Sequence, residues 1–378
     1  MQSEKRLPAL DLLRFAAIFS TIATHSEIMS ASQYGDIIGT ISYIARCGSI
    51  FGVPLFFVLS GFLVSGLLFA EYKKTDNLNV KRFLIRRGLK IYPAFYFLIF
   101  STLIFQLIYG SEILYENYLA EIFFVQNYFP GVYYHTWSLA VEEHFYLTLP
   151  LLLIILLRIN RTSPEPFRLL KPIAVCLFIW SIIFDQIYFQ IPGADYAPYL
   201  AETYTTYTNY IATHARIEAL FLGMLVSYYY HFEREKLQVV WKHPVIWLTV
   251  AAALLFPMIF NLVQVPGLSI YRAADISFVT VLIVSVNSIK LTNFAESRLG
   301  RFLTFLGQHS YSIYLWHMAV FYTLRYFFEN EIKNGQTLCF NLIFGVASFV
   351  VGIAFSKLIE IPVLKLRDKY FPKDAQTR

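Results

Sequence analysis

Charge is the scarce ingredient of this 378-residue chain. Only 15% of its residues are Asp, Glu, Lys or Arg, where a water-soluble domain carries about a quarter. The shortfall excludes a large solvated surface, and 57% apolar residues gathered into long blocks take its place. Cysteine is nearly absent too. Cys47, Cys176 and Cys339 show no CxxC spacing and no even framework, which argues against a disulfide scaffold or a structural metal site. A Cys47–Cys339 pair is the one disulfide that the topology below leaves open. No short-period repeat is visible, nor a hydrophilic stretch long enough for a second soluble domain. The first residues lead into an apolar stretch interrupted by Asp11 and Arg14, without a short apolar core and small-residue cleavage site. The first helix is therefore expected to stay as a signal anchor.

Apolar runs of 18 or more residues with few charges indicate membrane-spanning helices. Ten such segments can be drawn, at 7–24, 48–70, 89–109, 137–157, 172–190, 212–232, 245–263, 268–288, 303–327 and 338–359. Residues 118–128 are too short to span and suit an interfacial or re-entrant piece. The net charge of +6 could point to an anionic polymer, but its distribution fits positive-inside bias and gives no reason to expect nucleic acid. With the N-terminus inside, Lys81, Arg82, Arg86, Arg87 and Lys90, then Arg158, Arg161 and Arg168, then Lys290, Arg298 and Arg301 all fall in cytoplasmic segments. One helix more or fewer would invert that bias downstream. The expected fold is an all-α polytopic integral membrane protein of about ten transmembrane helices with both termini cytoplasmic. Residues 1–6 form a short cytoplasmic N-terminus, 7–362 one transmembrane domain and 363–378 a cytoplasmic tail.

Ionisable side chains inside such spans are costly and mark functional candidates. Arg14 and His25 are eleven residues apart, about three helical turns, so both lie on one face of the first helix, roughly 16 Å apart along its axis. An Asp11–Arg14 ion pair is the plain alternative for the arginine, and an interfacial imidazole for His25. Glu142 and Glu143 lie near the outer end of the fourth span, at the depth of His25. A carboxylate beside an imidazole fixes its tautomer and raises its basicity. Neighbouring helical residues point about 100° apart, so one glutamate at most faces the ring. Carboxylates in a first helical turn can also simply favour the dipole. Arg86, Arg87 and Lys90, in Phe83-Leu-Ile-Arg-Arg-Gly-Leu-Lys-Ile-Tyr-Pro93, could hold phosphates or merely anchor the helix. His317 lies mid-span, and Arg216 with Glu218 opens the sixth span from outside.

These residues fall in segments that resemble the acyltransferase-3 family. Leu7-Pro-Ala-Leu-Asp-Leu-Leu-Arg14 through His25 resembles its opening Arg-x10-His pattern. Gly52-Val-Pro-Leu-Phe-Phe-Val-Leu-Ser-Gly-Phe62 is similar to its second-helix signature. His135-Thr-Trp-Ser-Leu-Ala-Val-Glu-Glu-His-Phe-Tyr146 resembles its Trp-Ser-Leu-x-x-Glu block, and Ser310-Tyr-Ser-Ile-Tyr-Leu-Trp-His317 its late Tyr-Leu-Trp-His block. The family's Arg-x-x-Arg before the third helix is here Arg87 and Lys90, which keeps the charge but loses one bidentate fork. Because the chain stops soon after the tenth span, it resembles the stand-alone form, without an added extracytoplasmic hydrolase-like domain.

The resemblance implies transfer of a short acyl group from acyl-CoA, with acetyl-CoA the expected donor, to a carbohydrate or lipid-linked glycan hydroxyl at the bilayer. The setting is the bacterial cytoplasmic (inner) membrane, and no metal is expected. Arg86, Arg87 and Lys90 would hold the nucleotide end at the inner mouth, and Arg14 would guide the pantetheine arm. His25 would act as general base, oriented by Glu142 or Glu143. Ser60, Arg46, Trp137, His317 and Arg216 are expected to contact substrate. A transient acyl-histidine is the alternative route. A polysaccharide-intermediate transporter or flippase, or an assembly partner without turnover, would carry similar intramembrane charge. Acceptor choice is expected from the outer loops at 110–135 and 190–213.

Overall fold

A computed structural model describes residues 7–27, 29, 34–46, 48–110, 112–160, 163, 165–189, 211–259, 270–333 and 336–372. Among the described residues the protein is helical throughout and contains no strand. The principal helices are α1 (Pro8–Thr24), α2 (Gly48–Thr75), α3 (Val80–Tyr109), α4 (Tyr115–Ile122), α5 (Trp137–Ile159), α6 (Leu170–Phe189), α7 (Thr213–Phe232), α8 (Pro244–Ile259), α9 (Ile270–Ser285), α10 (Arg298–Gln308), α11 (Ser310–Phe327), α12 (Thr337–Phe355) and α13 (Ile361–Tyr370). Shorter helices, among them Asp36–Arg46 and Ile289–Glu296, connect them.

The ten segments drawn from hydropathy are helical over nearly all their described residues. By length and apolarity, four helices among the described residues can cross a bilayer: Phe51–Thr75, Val80–Tyr109, Tyr134–Ile159 and Thr337–Tyr370. Two pairs bent by 80° and 77° raise the number to six. The segment at 303–327 is two helices rather than one, broken at His309 between α10 and α11. At the other end, the last span runs on through α13, past residue 362. Helix α3 starts nine residues before the hydropathy boundary, because Asn79 caps it by accepting the Arg82 N–H at 2.9 Å. It stops at Gly110, whose left-handed φ of 65° ends the helix. Arg86 and Arg87, ahead of the drawn boundary, therefore lie in the same helix as Lys90. Of the two loops expected to face outward, residues 190–210 of the 190–213 loop lie outside the described residues.

The chain forms two compact units. The first comprises Met1–Phe56, Gly88–Phe105 and Ser288–Arg378. In it α1 packs on α10 and α11, and α11 packs on α12. Trp316 stacks flat on Phe355 with centroids 3.7 Å apart. Just beyond, one turn widens to a π-helix over Ser356–Glu360. One oxygen of its buried carboxylate takes two hydroxyls: Glu360 Oε2 accepts from Ser312 at 2.6 Å and from Ser356 at 3.0 Å. Since Ser356 gives its proton to the carboxylate, the His309 ring must donate to Ser356, across 2.7 Å. π-turns of this kind need such side-chain support and recur at functional sites.

The second unit comprises Phe57–Arg87 and Gln106–Asn287. Its hub is α7, which packs on α5, α6 and α9. Two glycines let α2 and α7 meet backbone to backbone. A Cβ on Gly61 would collide with the Leu220 carbonyl, and one on Gly223 with the Val58 carbonyl. At the edge of this unit Glu233 accepts from Lys171, Lys236 and Tyr228. Burial would raise its pKa, but these donors outweigh burial and hold it at about 2.

The start of α5 is set by a buried glutamate. Glu121, on α4, is fully buried, and its Oε1 accepts from the Val132 N–H (3.0 Å), the Tyr133 N–H (3.3 Å) and the Thr136 hydroxyl (2.8 Å). Gln126 adds a bond from its Nε2 to the Thr136 carbonyl at 3.0 Å. Together they fix the turn that launches Trp137. Oε2 has no hydrogen-bond partner among the described residues. Burial raises the carboxyl to about 7 against these opposing hydrogen bonds, with Oε2 the natural seat of the proton.

Two expectations follow from these contacts. Gly223→Val should push α2 off α7 and cost about 1–3 kcal/mol, read as a lower Tm in detergent with the helical signal intact. Below about pH 4.5 the Glu121 carboxyl is protonated in folded and unfolded chains alike. Between there and about 7 only the folded chain keeps the proton, so stability falls as pH rises through that window, by up to about 3 kcal/mol. Glu121→Gln should remove that slope from Tm measured between pH 5 and 8. Equal slopes in both proteins would show that Glu121 is not its source.

Candidate functional site

His25 is the residue that closes α1. Its N–H turns back to the Ile22 carbonyl at 3.1 Å, a tightened last turn, so the imidazole sits at the helix end. The chain beyond is tied down at once. The Glu27 N–H donates to Asn341 Oδ1 at 2.8 Å, Asn341 Nδ2 donates back to the Glu27 carbonyl at 2.9 Å, and Arg325 pairs with the Glu27 carboxylate at 2.6 Å. These three contacts carry His25 to the flank of α11. There its ring lies 5.2 Å, centroid to centroid, from that of His317.

His317 is completely buried. Its Nδ1 lies 2.5 Å from the Tyr314 carbonyl. A carbonyl only accepts, so Nδ1 carries the proton and the neutral ring keeps its lone pair on Nε2. The first unit therefore presents a pair of imidazoles, one of fixed tautomer. Arg14 makes the ion pair foreseen as its plain alternative, at 2.6 Å to Asp11. It stays about a quarter exposed while Asp11 is buried.

In the second unit Glu142 and Glu143 diverge as adjacent helical residues must. Glu143 is buried. Glu142 Oε2 accepts from the Tyr146 hydroxyl, one turn on, at 2.6 Å. Ser60 Oγ lies 2.5 Å from that same hydroxyl. The Arg87 guanidinium stands over the Tyr146 ring at 5.8 Å and over the Phe83 ring at 5.9 Å. The hydropathy reading separated Arg87 at the inner mouth from Glu142 near the outer end. In the structure a single tyrosine joins them. Trp137 is buried edge-on against Phe57, with centroids 5.9 Å apart.

Arg216 is buried on the first turn of α7, and Arg86 and Lys90 are half-buried on α3. Arg46 ends the helix Asp36–Arg46; its side chain, like the whole of Cys47, lies outside the described residues. Cys176 and Cys339 are free and exposed. Among the described residues no group of three or more His, Cys, Asp or Glu converges as metal ligands would.

Sequence reasoning quoted Tyr146 inside a motif without giving it a role, and it passed over Glu121. The signal for Tyr146 was its i, i+4 spacing from Glu142, which puts a phenol on the same face as a carboxylate. Glu121 gave no signal, since its partners are two main-chain N–H groups and a threonine hydroxyl eleven to fifteen residues away.

Comparison with known proteins adds to this geometry. The family described as "Acyltransferase domain" (Acyl_transf_3) matches residues 7–357. O-acetyltransferase OatA of Staphylococcus aureus is 29% identical over 397 aligned residues, which cover 98% of this chain and 59% of that protein. Peptidoglycan O-acetyltransferase OatA of Listeria monocytogenes is 26% identical over 388, covering 96% of this chain and 56% of its own length. The chain thus spans rather more than half the length of these curated relatives. No solved structure matches it.

Proposed function

The chain belongs to the Acyl_transf_3 acyltransferase family, whose domain covers residues 7–357, and on that premise we propose that it is an integral membrane O-acyltransferase. It moves an acetyl or other short acyl group from cytoplasmic acyl-CoA, acetyl-CoA first among donors, to a hydroxyl of an extracytoplasmic carbohydrate. The observation that carries this reading is His25, an imidazole held at the end of an apolar helix beside a second imidazole of fixed tautomer. Imidazole is the side chain best suited to take a hydroxyl proton near neutral pH. The name of the Listeria relative, a peptidoglycan O-acetyltransferase, supports a glycan acceptor. The protein would sit in the bacterial cytoplasmic membrane, with ten spans and both ends inside.

In this reading Arg86, Arg87 and Lys90 hold the donor's phosphates by charge and hydrogen bonding, and Arg14 guides the pantetheine arm. Acyl-CoA cannot carry those phosphates into hydrocarbon without such partners. His25 removes the acceptor hydroxyl proton, with Glu142 orienting the ring. The alkoxide attacks the thioester carbonyl, the carbon–sulfur bond breaks, and the leaving thiolate takes the proton back from His25. The products are the ester and free CoA. Ser60, Trp137, Arg216, Arg46 and His317 contact the substrates.

His25→Ala should lower transfer of labelled acetyl from acetyl-CoA to a glycan acceptor by about 10²–10⁴-fold while the purified protein keeps its Tm. Wild-type turnover by that folded variant would end the general-base assignment. Replacing Arg87 and Lys90 by Ala should raise KM for acetyl-CoA far more than it lowers kcat; an unchanged donor KM would remove the phosphate role. Movement of a glycan across reconstituted vesicles without acetylation would favour a transporter instead.

A further inference from the structure

The hydrogen bonds around Tyr146 run in one direction. Glu142 as a carboxylate can only accept, so the phenol proton lies in the 2.6 Å contact to Glu142 Oε2. Tyr146 has no second proton to give. The 2.5 Å contact to Ser60 must then be made by the serine proton. The order is Ser60 to Tyr146 to Glu142, and each hydroxyl polarises the next.

Nothing in this chain is loosely held. Tyr146 is buried, and its neighbour Phe145 packs edge-on against Phe221 of α7 at 5.5 Å. Ser60 stands directly before Gly61, where α2 touches the α7 backbone. The backbone contact that locks α2 to α7 thus sets the serine, the serine sets the phenol, and the phenol sets one oxygen of the carboxylate. The ring also lies under the Arg87 guanidinium.

We propose that Tyr146 is the positioning residue of the acid: its hydroxyl, oriented by Ser60, holds the Glu142 carboxylate in a fixed rotamer for its work. The proposal rests on the proposed catalytic role of Glu142 and names the device that holds its carboxylate. A carboxylate on a flexible stem gains little by being near an imidazole unless its rotamer is fixed. Supporting groups of this kind typically account for 10–100-fold in activity.

The test is a set of variants assayed as the purified full chain with acetyl-CoA and glycan acceptor. Tyr146→Phe keeps the ring under Arg87 and removes only the hydroxyl. It should lower kcat about 10- to 100-fold, leave KM for acetyl-CoA within about twofold, and leave Tm near the wild-type value. Ser60→Ala should give a smaller loss, and Tyr146→Phe combined with Ser60→Ala should be no worse than Tyr146→Phe alone, because the serine acts through the phenol. In a Glu142→Gln background Tyr146→Phe should have little further effect. Full activity of Tyr146→Phe would overturn the proposal. So would multiplicative losses in the Ser60 pair, or a loss carried mainly by donor KM. Absence of transfer by the wild-type protein would instead remove the acyltransferase reading itself.

Discussion

A carboxylate surrounded by apolar helices keeps its charge only if donors come to it, because water does not. That constraint organises the polar interior of this protein. Glu142 is met by a phenol, Glu360 by two serine hydroxyls, and Asp11 by a guanidinium. Glu233, at the edge of its unit, is met by two ammonium groups and a phenol. Glu121 departs from the pattern, with three donors crowded on one oxygen and none on the other. The pairings of Glu360, Glu233 and Glu121 pin two helices, or a helix and its loop, while those of Glu142 with Tyr146 and of Asp11 with Arg14 lie within one helix. The polar residues therefore specify the packing that the apolar residues leave degenerate, since leucine-rich helix faces pack almost equally well in neighbouring registers.

The same constraint shapes the chemistry. A base works in such surroundings only if its tautomer and neighbours are fixed beforehand, because no solvent can reorganise around the proton as it moves. Of the two imidazoles of the first unit, one has its tautomer fixed and the other has its backbone anchored. His317 is tied through Nδ1 to the carbonyl of its own helix. His25 is carried by a bracket on the residues that follow it, where Asn341 and Arg325 grip Glu27.

Much of this was legible in the sequence, and the limits have physical causes. Long apolar runs gave the helices, since hydropathy and length report the cost of burying polar backbone directly. The candidates Arg14, His25 and Glu142 stood out as charge where charge is expensive. The break at His309 and the wide turn at Ser356–Glu360 did not, because both segments remain apolar enough to pass for uninterrupted helix. The Arg87–Tyr146 contact was hidden for another reason. Hydropathy places residues by depth within a span, but α3 begins well before its apolar stretch, under the pull of the Asn79 cap. Long side chains then cover the remaining distance. Arg14 and Asp11 paired as their spacing allowed, a contact that serves equally well as structure and as a poised cation.

The interlocked glycines of α2 and α7 have a mechanical meaning. Where main chains touch without intervening side chains, there is no soft layer to shear, and sliding by even a fraction of a turn would drive carbonyl into Cα. Those two helices must travel as a single beam. Any bending within this unit has to hinge at segments outside that beam, while the serine mounted on it keeps its address.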